Sequence, residues 1–260
     1  MTTNKKIAAK SVPPKSAPAK PAQRKPAQRK PAQRKPAQRK TASRQPAAKQ
    51  RLSPAERERQ IIEGAIDYFA EVGFSGQTRE LSKRLGITQP LLYRYFPSKQ
   101  ALVERVYSTV FEGRWNPKWP ALLADRSLPL RDRLVEFYRQ YSIVTYRPEW
   151  IRIYMYAGLS GTGLNRRYIG MIQRELLTTY CRELREFCGI HSGAPVSQEE
   201  MEFVWSLHGG MFYYAVRRSV YKINIKVDFM TKVGYAVDNF LAGAKTTLPA
   251  LIAAVQARRT

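Results

Sequence analysis

Residues 73–99 read Gly-Phe-Ser-Gly-Gln-Thr-Arg-Glu-Leu-Ser-Lys-Arg-Leu-Gly-Ile-Thr-Gln-Pro-Leu-Leu-Tyr-Arg-Tyr-Phe-Pro-Ser-Lys. From about Thr78 a short helix can turn Leu81 and Leu85, four residues apart, inward, and Gly86 ends it. Ile87 plugs the turn. Thr88 has the hydroxyl of an N-cap, Pro90 fits a first helical turn, Leu92 and Phe96 share one face, and Pro97 terminates the segment. Working upstream, Ser53-Pro54-Ala55-Glu56 is a helix start: a hydroxyl cap, proline in the first turn and glutamate three residues after the cap. Ile61, Ile62, Ala65, Ile66 and Phe69 then form one apolar stripe, and Gly73-Phe74 has the form of a stop, so a first helix is expected from about Pro54 to Val72. Helix, short helix, glycine turn and second short helix make a helix-turn-helix pattern.

The charges agree with that placement. Between Glu80 and Glu104 there is no acid, while Lys83, Arg84, Arg94 and Lys99 supply cations. A solvated face normally mixes signs, so this window points to a phosphate-facing surface. Lys99 follows Ser98, the expected cap of a fourth helix. A cation in a first turn opposes the helix dipole by about 0.3–1 kcal/mol. Free backbone N–H groups together with that ammonium would form a phosphate site.

These residues strongly resemble the N-terminal DNA-binding domain of the TetR family over roughly residues 54–105. The resemblance rests on Gly73-Phe74, on Leu85-Gly86-Ile87 in the turn, on Leu92-Tyr93-Arg94-Tyr95-Phe96 in the third helix, and on Ser98-Lys99 opening the fourth. It implies that Thr78, Tyr93, Tyr95 and Lys99 hold phosphates, and that Arg79, Gln89, Pro90 and Leu91 reach base edges in the major groove. Arg94 could do either. Arg can grip guanine, Gln can pair with adenine, and apolar Pro90 or Leu91 can meet a thymine methyl. Leu91 departs from the small or hydroxyl residue often found there in the family.

Outside this stretch the basic excess is concentrated at one end. The chain of 260 residues has 45 Lys and Arg against 20 Asp and Glu. Residues 1–50 hold ten Lys, five Arg and no acid, and include a Lys-Pro-Ala-Gln-Arg unit repeated from Lys20 to Arg39. That unit has nothing large to bury and a proline every fifth residue, so a disordered, extended arm is expected. Its cations match the phosphates of a polyanion; a solubility tail is the alternative. No run of 18 consecutive apolar residues and no apolar signal core is present, so a membrane partner and export are not expected. Cys181 and Cys188 would stand roughly 10 Å apart along one helix at about 1.5 Å per residue, too far to bridge. A reduced, cytoplasmic location at the nucleoid is the expectation.

From about Leu102 the pattern is helical, with helices expected over Pro129–Tyr146, Pro148–Gly158, Leu164–Cys188, Ser197–Tyr221 and Asp228–Ala244, and a last one from about Leu248. The fold expected is all-α: a basic tail at 1–50, a helix-turn-helix domain at 51–105 and a helical effector-binding and dimerisation domain at 106–260. On the Ser197 and Asp228 helices, Trp205, Gly209, Phe212, Val216, Val233, Val237 and Phe240 are candidates for a homodimer interface. Gly209-Gly210 in mid-helix suggests either a close backbone crossing or a kink. Tyr141, Trp150, Tyr154 and Tyr168 are candidates for a small-molecule effector pocket, although aromatic stripes also serve as core. His208 reads as a hydrogen-bonded core histidine.

No His-Glu-x-x-His, Cys-x-x-Cys, phosphate-cradling glycine loop or Gly-x-Ser-x-Gly occurs. Catalytic residues, metal ligands and cofactors are therefore not expected. The function expected is a homodimeric, ligand-responsive repressor binding double-stranded DNA at a palindromic operator. An architectural nucleoid protein dominated by the tail is the alternative.

Overall fold

Capping chemistry sets the first helix. The Ser53 hydroxyl accepts from the Glu56 amide at 3.2 Å while the Glu56 carboxylate accepts from the Ser53 amide at 2.8 Å, and α1 (Pro54–Val72) follows. It ends at Gly73, whose φ of 77° lies where side chains are strained. The computed structural model describes residues 52–258; among these there are helices and no strand. The basic segment 1–50, with its expected disorder, lies outside the described residues.

α2 (Thr78–Arg84), α3 (Gln89–Tyr95) and α4 (Lys99–Phe111) fall where capping and turn chemistry place them. The body continues with α5 (Trp119–Ala124), α6 (Leu130–Thr145), α7 (Pro148–Leu159), α8 (Leu164–Ile172), α9 (Thr178–Phe187), α10 (Gln198–Ser219) and α11 (Phe229–Ala257). α1 packs along α7, and α11 lies against α6 and α10. One continuous core runs from Ile61 and Phe69 through Phe111, Trp119 and Trp150 to Val237 and Leu248.

Three features depart from expectation. α5 was not anticipated, because its six residues have no side-chain cap and are too few to show a period. The expected Leu164–Cys188 helix contains a π-helical turn at Gln173–Leu177, where the Thr178 amide reaches back five residues to the Gln173 carbonyl. The expected break before Leu248 does not occur. α11 runs through Pro249, with Val233, Val237, Leu241, Ala244 and Leu248 buried before it and Val255 buried after it. The continuous helix is long and apolar enough to cross a membrane by length and composition, yet its inner stripe is enclosed in the core.

The dimer candidates are largely turned inward. Val216, Val233 and Val237 are buried in the chain's own core. Phe240 packs on Phe203 and Tyr180, and half-buried Trp205 and Phe212 line a cavity whose wall also includes exposed Gly209. The most apolar stripes were claimed by the fold first. The outer face instead carries Gly209, Gly210 and Tyr213 on α10, and Tyr235, Ala242 and Gly243 on α11. A Cβ placed on Gly209, Gly210 or Gly243 would meet nothing within 4 Å, so the glycine pair marks no close crossing inside the chain.

Candidate nucleic-acid interface and an aromatic cavity

The helix-turn-helix is fixed from beneath by Leu81, Leu92 and Phe96, all buried. Gly86, with φ of 63°, lets the turn close: the Gly86 amide donates to Lys83 O at 3.1 Å and the Ile87 amide to Ser82 O at 3.0 Å. Thr88 then caps α3 by accepting from the Leu91 amide at 3.3 Å. Leu85 sits so close to α1 that a Cβ on Gly64 would stand 2.3 Å from its Cδ2.

On the outer side a polar cluster joins the two short helices. The Thr78 and Tyr93 hydroxyls are 2.9 Å apart, and Gln89 Nε2 donates to Thr78 Oγ1 at 3.2 Å. Tyr93 is 37% exposed, whereas Thr78 is only 8% exposed and supports the other two from behind. Arg79, Pro90 and Arg94 are exposed, Gln89, Leu91 and Lys99 are half-buried, and Tyr95 is half-buried against the core. So the structure brings Thr78, Gln89 and Tyr93 together, surrounds them with Arg79, Pro90, Leu91 and Arg94, and turns Tyr95 partly away.

The four cations of the acid-free window do not all remain available. Arg84 donates to Glu71 at 2.5 Å, lies 3.6 Å from Glu80 and stacks over the Tyr68 ring. Its hydrogen bond holds the Glu71 carboxyl below the usual range. Arg84 is therefore a brace between α1 and α2, a role hidden in the sequence because Glu71 lies outside the window. Among the described residues Arg79, Lys83, Arg94 and Lys99 form no ion pair. Ser98 caps α4 by accepting from Ala101 at 3.0 Å, which puts Lys99 at the first helical position beside unsatisfied amides. Tyr68 was missed as a support: its hydroxyl donates to Gln77 O at 3.1 Å, and its only sequence signal was its place beside Phe69 in α1.

Residues 61–106 match the family model for bacterial regulatory proteins of the tetR family. Over this stretch the chain is similar to the N-terminal domain of the TetR family. Over 85 residues it is 47% identical to tetracycline repressor protein class A from transposon 1721 of Escherichia coli, covering 30% of this chain and 39% of that protein. Over 64 residues it is 42% identical to nucleoid occlusion factor SlmA of Glaesserella parasuis serovar 5, covering 22% and 32%. The chain thus spans well under half the length of these curated relatives. A tetR-family regulator from Streptomyces coelicolor shares the fold at a TM-score of 0.54 and 17% identity, over 79% of this chain and 90% of that one. A TetR-like regulator from Rhodococcus sp. RHA1 does so at 0.52 and 20%, over 76% and 99%.

Behind the TetR-type domain the four pocket candidates converge. Tyr141, Trp150, Tyr154 and Tyr168 line one cavity of about 80 Å³, closed further by Trp205, His208 and Phe212. Two helices connect it to the domain. α4 runs from Lys99 to Phe111, whose ring lies 4.7 Å from Trp150 and 5.2 Å from Tyr168. α7 carries Trp150 and Tyr154 toward the cavity and, between and beyond them, Arg152 and Tyr156 toward α1. Arg152 donates to the Ala70 and Glu71 carbonyls and Tyr156 to that of Glu71, with the Tyr156 ring against Gly73. His208 is buried as expected but not satisfied: its Nδ1 has no partner.

Proposed function

We propose that this chain is a sequence-specific transcriptional regulator that binds double-stranded DNA as a homodimer, a ligand-responsive repressor acting at a palindromic operator. The observation that carries the reading is Tyr93, exposed on α3 and fixed by Thr78 beside Gln89, with unpaired Arg79, Arg94 and Lys99 around it. Hydroxyl and ammonium groups suit phosphates, and Arg79, Gln89 and Pro90 suit base edges. A domain at 51–105 reads DNA; residues 106–260 bind the effector and dimerise. The outer face of α10 and α11, with its glycines open to solvent, is the surface for the second copy. A two-fold dimer then requires two inverted half-sites.

Ligand response follows from the two connecting helices. A molecule lodged against Trp150 and Tyr154 would displace α7, and with it the carbonyl contacts on α1. Binding that favours one spacing of the two α3 helices shifts the dimer away from, or toward, the operator.

Selection of bound fragments from random DNA should yield inverted half-sites. Replacing both Tyr93 and Lys99 by alanine should abolish binding to the selected site while the protein remains folded and dimeric. Intact binding by that folded double variant would refute the docking. The arm of residues 1–50 would add salt-sensitive affinity for flanking DNA; deleting it should preserve the preferred sequence and flatten the salt dependence. The second reading is an architectural nucleoid protein dominated by the basic tail of residues 1–50, and one relative matched over 64 residues is named a nucleoid occlusion factor. Excess random DNA distinguishes the two, since a packaging protein would be competed away from the selected site.

A further inference from the structure

Within the effector-binding reading, on which this inference rests, the cavity has a composition that restricts its occupant. Trp150, Tyr154, Trp205 and Phe212 supply aromatic walls, and no Asp, Glu, Lys or Arg lines it. The charged groups nearby, Glu112, Arg167 and Arg174, belong to a separate pocket sharing Tyr168 as a wall. A charged molecule would enter without a counter-charge, at a desolvation cost that neutral molecules avoid.

Size restricts it as well. At about 80 Å³ the space is far below the roughly 300–1,000 Å³ typical of drug-sized ligands. It is also about half the roughly 150 Å³ cavity known to admit benzene, so a single ring is the upper limit and enters only as half-buried Tyr154, Trp205 and Phe212 move outward.

The polar groups set the last condition. The Tyr141 and Tyr168 hydroxyls satisfy each other at 3.1 Å. His208, 5% exposed and lining the same space, has Nδ1 buried without a partner. Burial keeps its imidazole neutral near pH 7, so one ring nitrogen donates and the other accepts. A hydroxyl can do both and matches either tautomer. The π-helical turn at Gln173–Leu177 begins directly after Ile172, another wall residue, and such turns recur at functional sites.

We propose that this cavity binds one small, neutral, single-ring aromatic molecule carrying a hydroxyl, its ring among the aromatic walls and its hydroxyl on His208. Phenol is the probe. Titration of the full-length dimer, followed by calorimetry and by the emission of Trp150 and Trp205, should show saturable phenol binding. Benzene should bind about tenfold more weakly for want of one hydrogen bond, and benzoate and tetramethylammonium should not bind. Absence of phenol binding, or preference for benzoate or tetramethylammonium, overturns the proposal.

His208→Phe should erase the preference for phenol over benzene, and Ile172→Phe, which puts a ring into the space, should block both. Phenol binding unchanged in whichever variant retains the wild-type melting temperature also overturns it. If phenol binds but operator affinity does not change, the site stands and the ligand-responsive reading fails. If phenol does not bind while the operator is still recognised, the site fails and the DNA reading stands.

Discussion

The helix-turn-helix end and the helical body satisfy their polar groups differently. Around α2 and α3, Thr78, Ser82, Gln89 and Tyr93 are hydrogen-bonded to one another or to backbone, and the turn amides are closed. Among the described residues the buried side-chain atoms without partners all lie in the body, among them Trp119 Nε1, Tyr138 OH, Tyr146 OH, Tyr180 OH and His208 Nδ1. A surface that must present fixed groups to a regular polymer gains from being ordered beforehand. A core that leaves polar atoms unmatched stores a cost that a suitable ligand can relieve. The contrast is between an end whose polar groups are matched and a body that leaves several unmatched.

The largest effect should come from the body's ionic brace, which is unlike the unmatched atoms around it. Glu200 receives Arg185 through Nε at 2.5 Å and Nη2 at 2.7 Å, and also accepts the Ser197 amide that starts α10. Both side chains are buried. Glu200→Ala leaves a buried guanidinium unpaired and should lower unfolding free energy by about 3–5 kcal/mol in urea denaturation. Operator affinity of the fraction that stays folded should not change. A matching loss of affinity would mean that the two regions are not separable.

Next in size is the pH response of His208. Burial lowers its pKa from 6.5 to about 4. The unfolded chain then binds the proton more tightly, so this contribution to stability is complete above pH 6.5 and is lost as pH falls toward 4. The loss amounts to about 3 kcal/mol, at about 1.4 kcal/mol per unit. Denaturation midpoints of wild type and His208→Phe, compared between pH 7 and pH 4.5, should diverge over this window. Parallel curves would remove His208 from the unmatched set.

A smaller effect tests the ordered end. Thr78→Val keeps shape but removes the oxygen shared by Tyr93 and Gln89. Affinity for the selected operator should fall about tenfold, the value of roughly one neutral hydrogen bond, with little change in melting temperature. If affinity holds, the cluster is not what orders the interface.

The same contrast explains what could be read from the residues alone. The helix-turn-helix was legible to the residue because local chemistry specifies it: Ser53 with Glu56, Thr88, Pro90, Ser98 and the glycines each act within a few positions. The cavity candidates Tyr141, Trp150, Tyr154 and Tyr168 were legible as types, and only packing showed that they meet. Arg84 and Val233 were misplaced for one reason: their partners, Glu71 and the core beneath α11, are set by tertiary structure. Periodicity finds the most apolar stripe, and the chain's own core takes it, so the face left exposed is the inconspicuous one, where Gly209, Gly210 and Gly243 stand beside Tyr213 and Tyr235.

That inconspicuous face gives the smallest and most discriminating prediction. Gly210 lies in mid-helix, exposed, with no atom from outside its own helical turns within 4 Å of a Cβ. Considered alone, Gly210→Ala should stabilise α10 by up to about 1 kcal/mol, because alanine loses less backbone freedom. If a second copy packs its backbone here, the added methyl must instead push the two apart, and dimer dissociation should rise while the isolated helix gains. Sedimentation across a concentration series, together with melting temperature at each concentration, separates the two signs. A tighter or unchanged dimer with a higher melting temperature would show that this face stays open and that the copies meet elsewhere. A weaker dimer whose melting temperature recovers only at high concentration would place the partner on the glycines of α10.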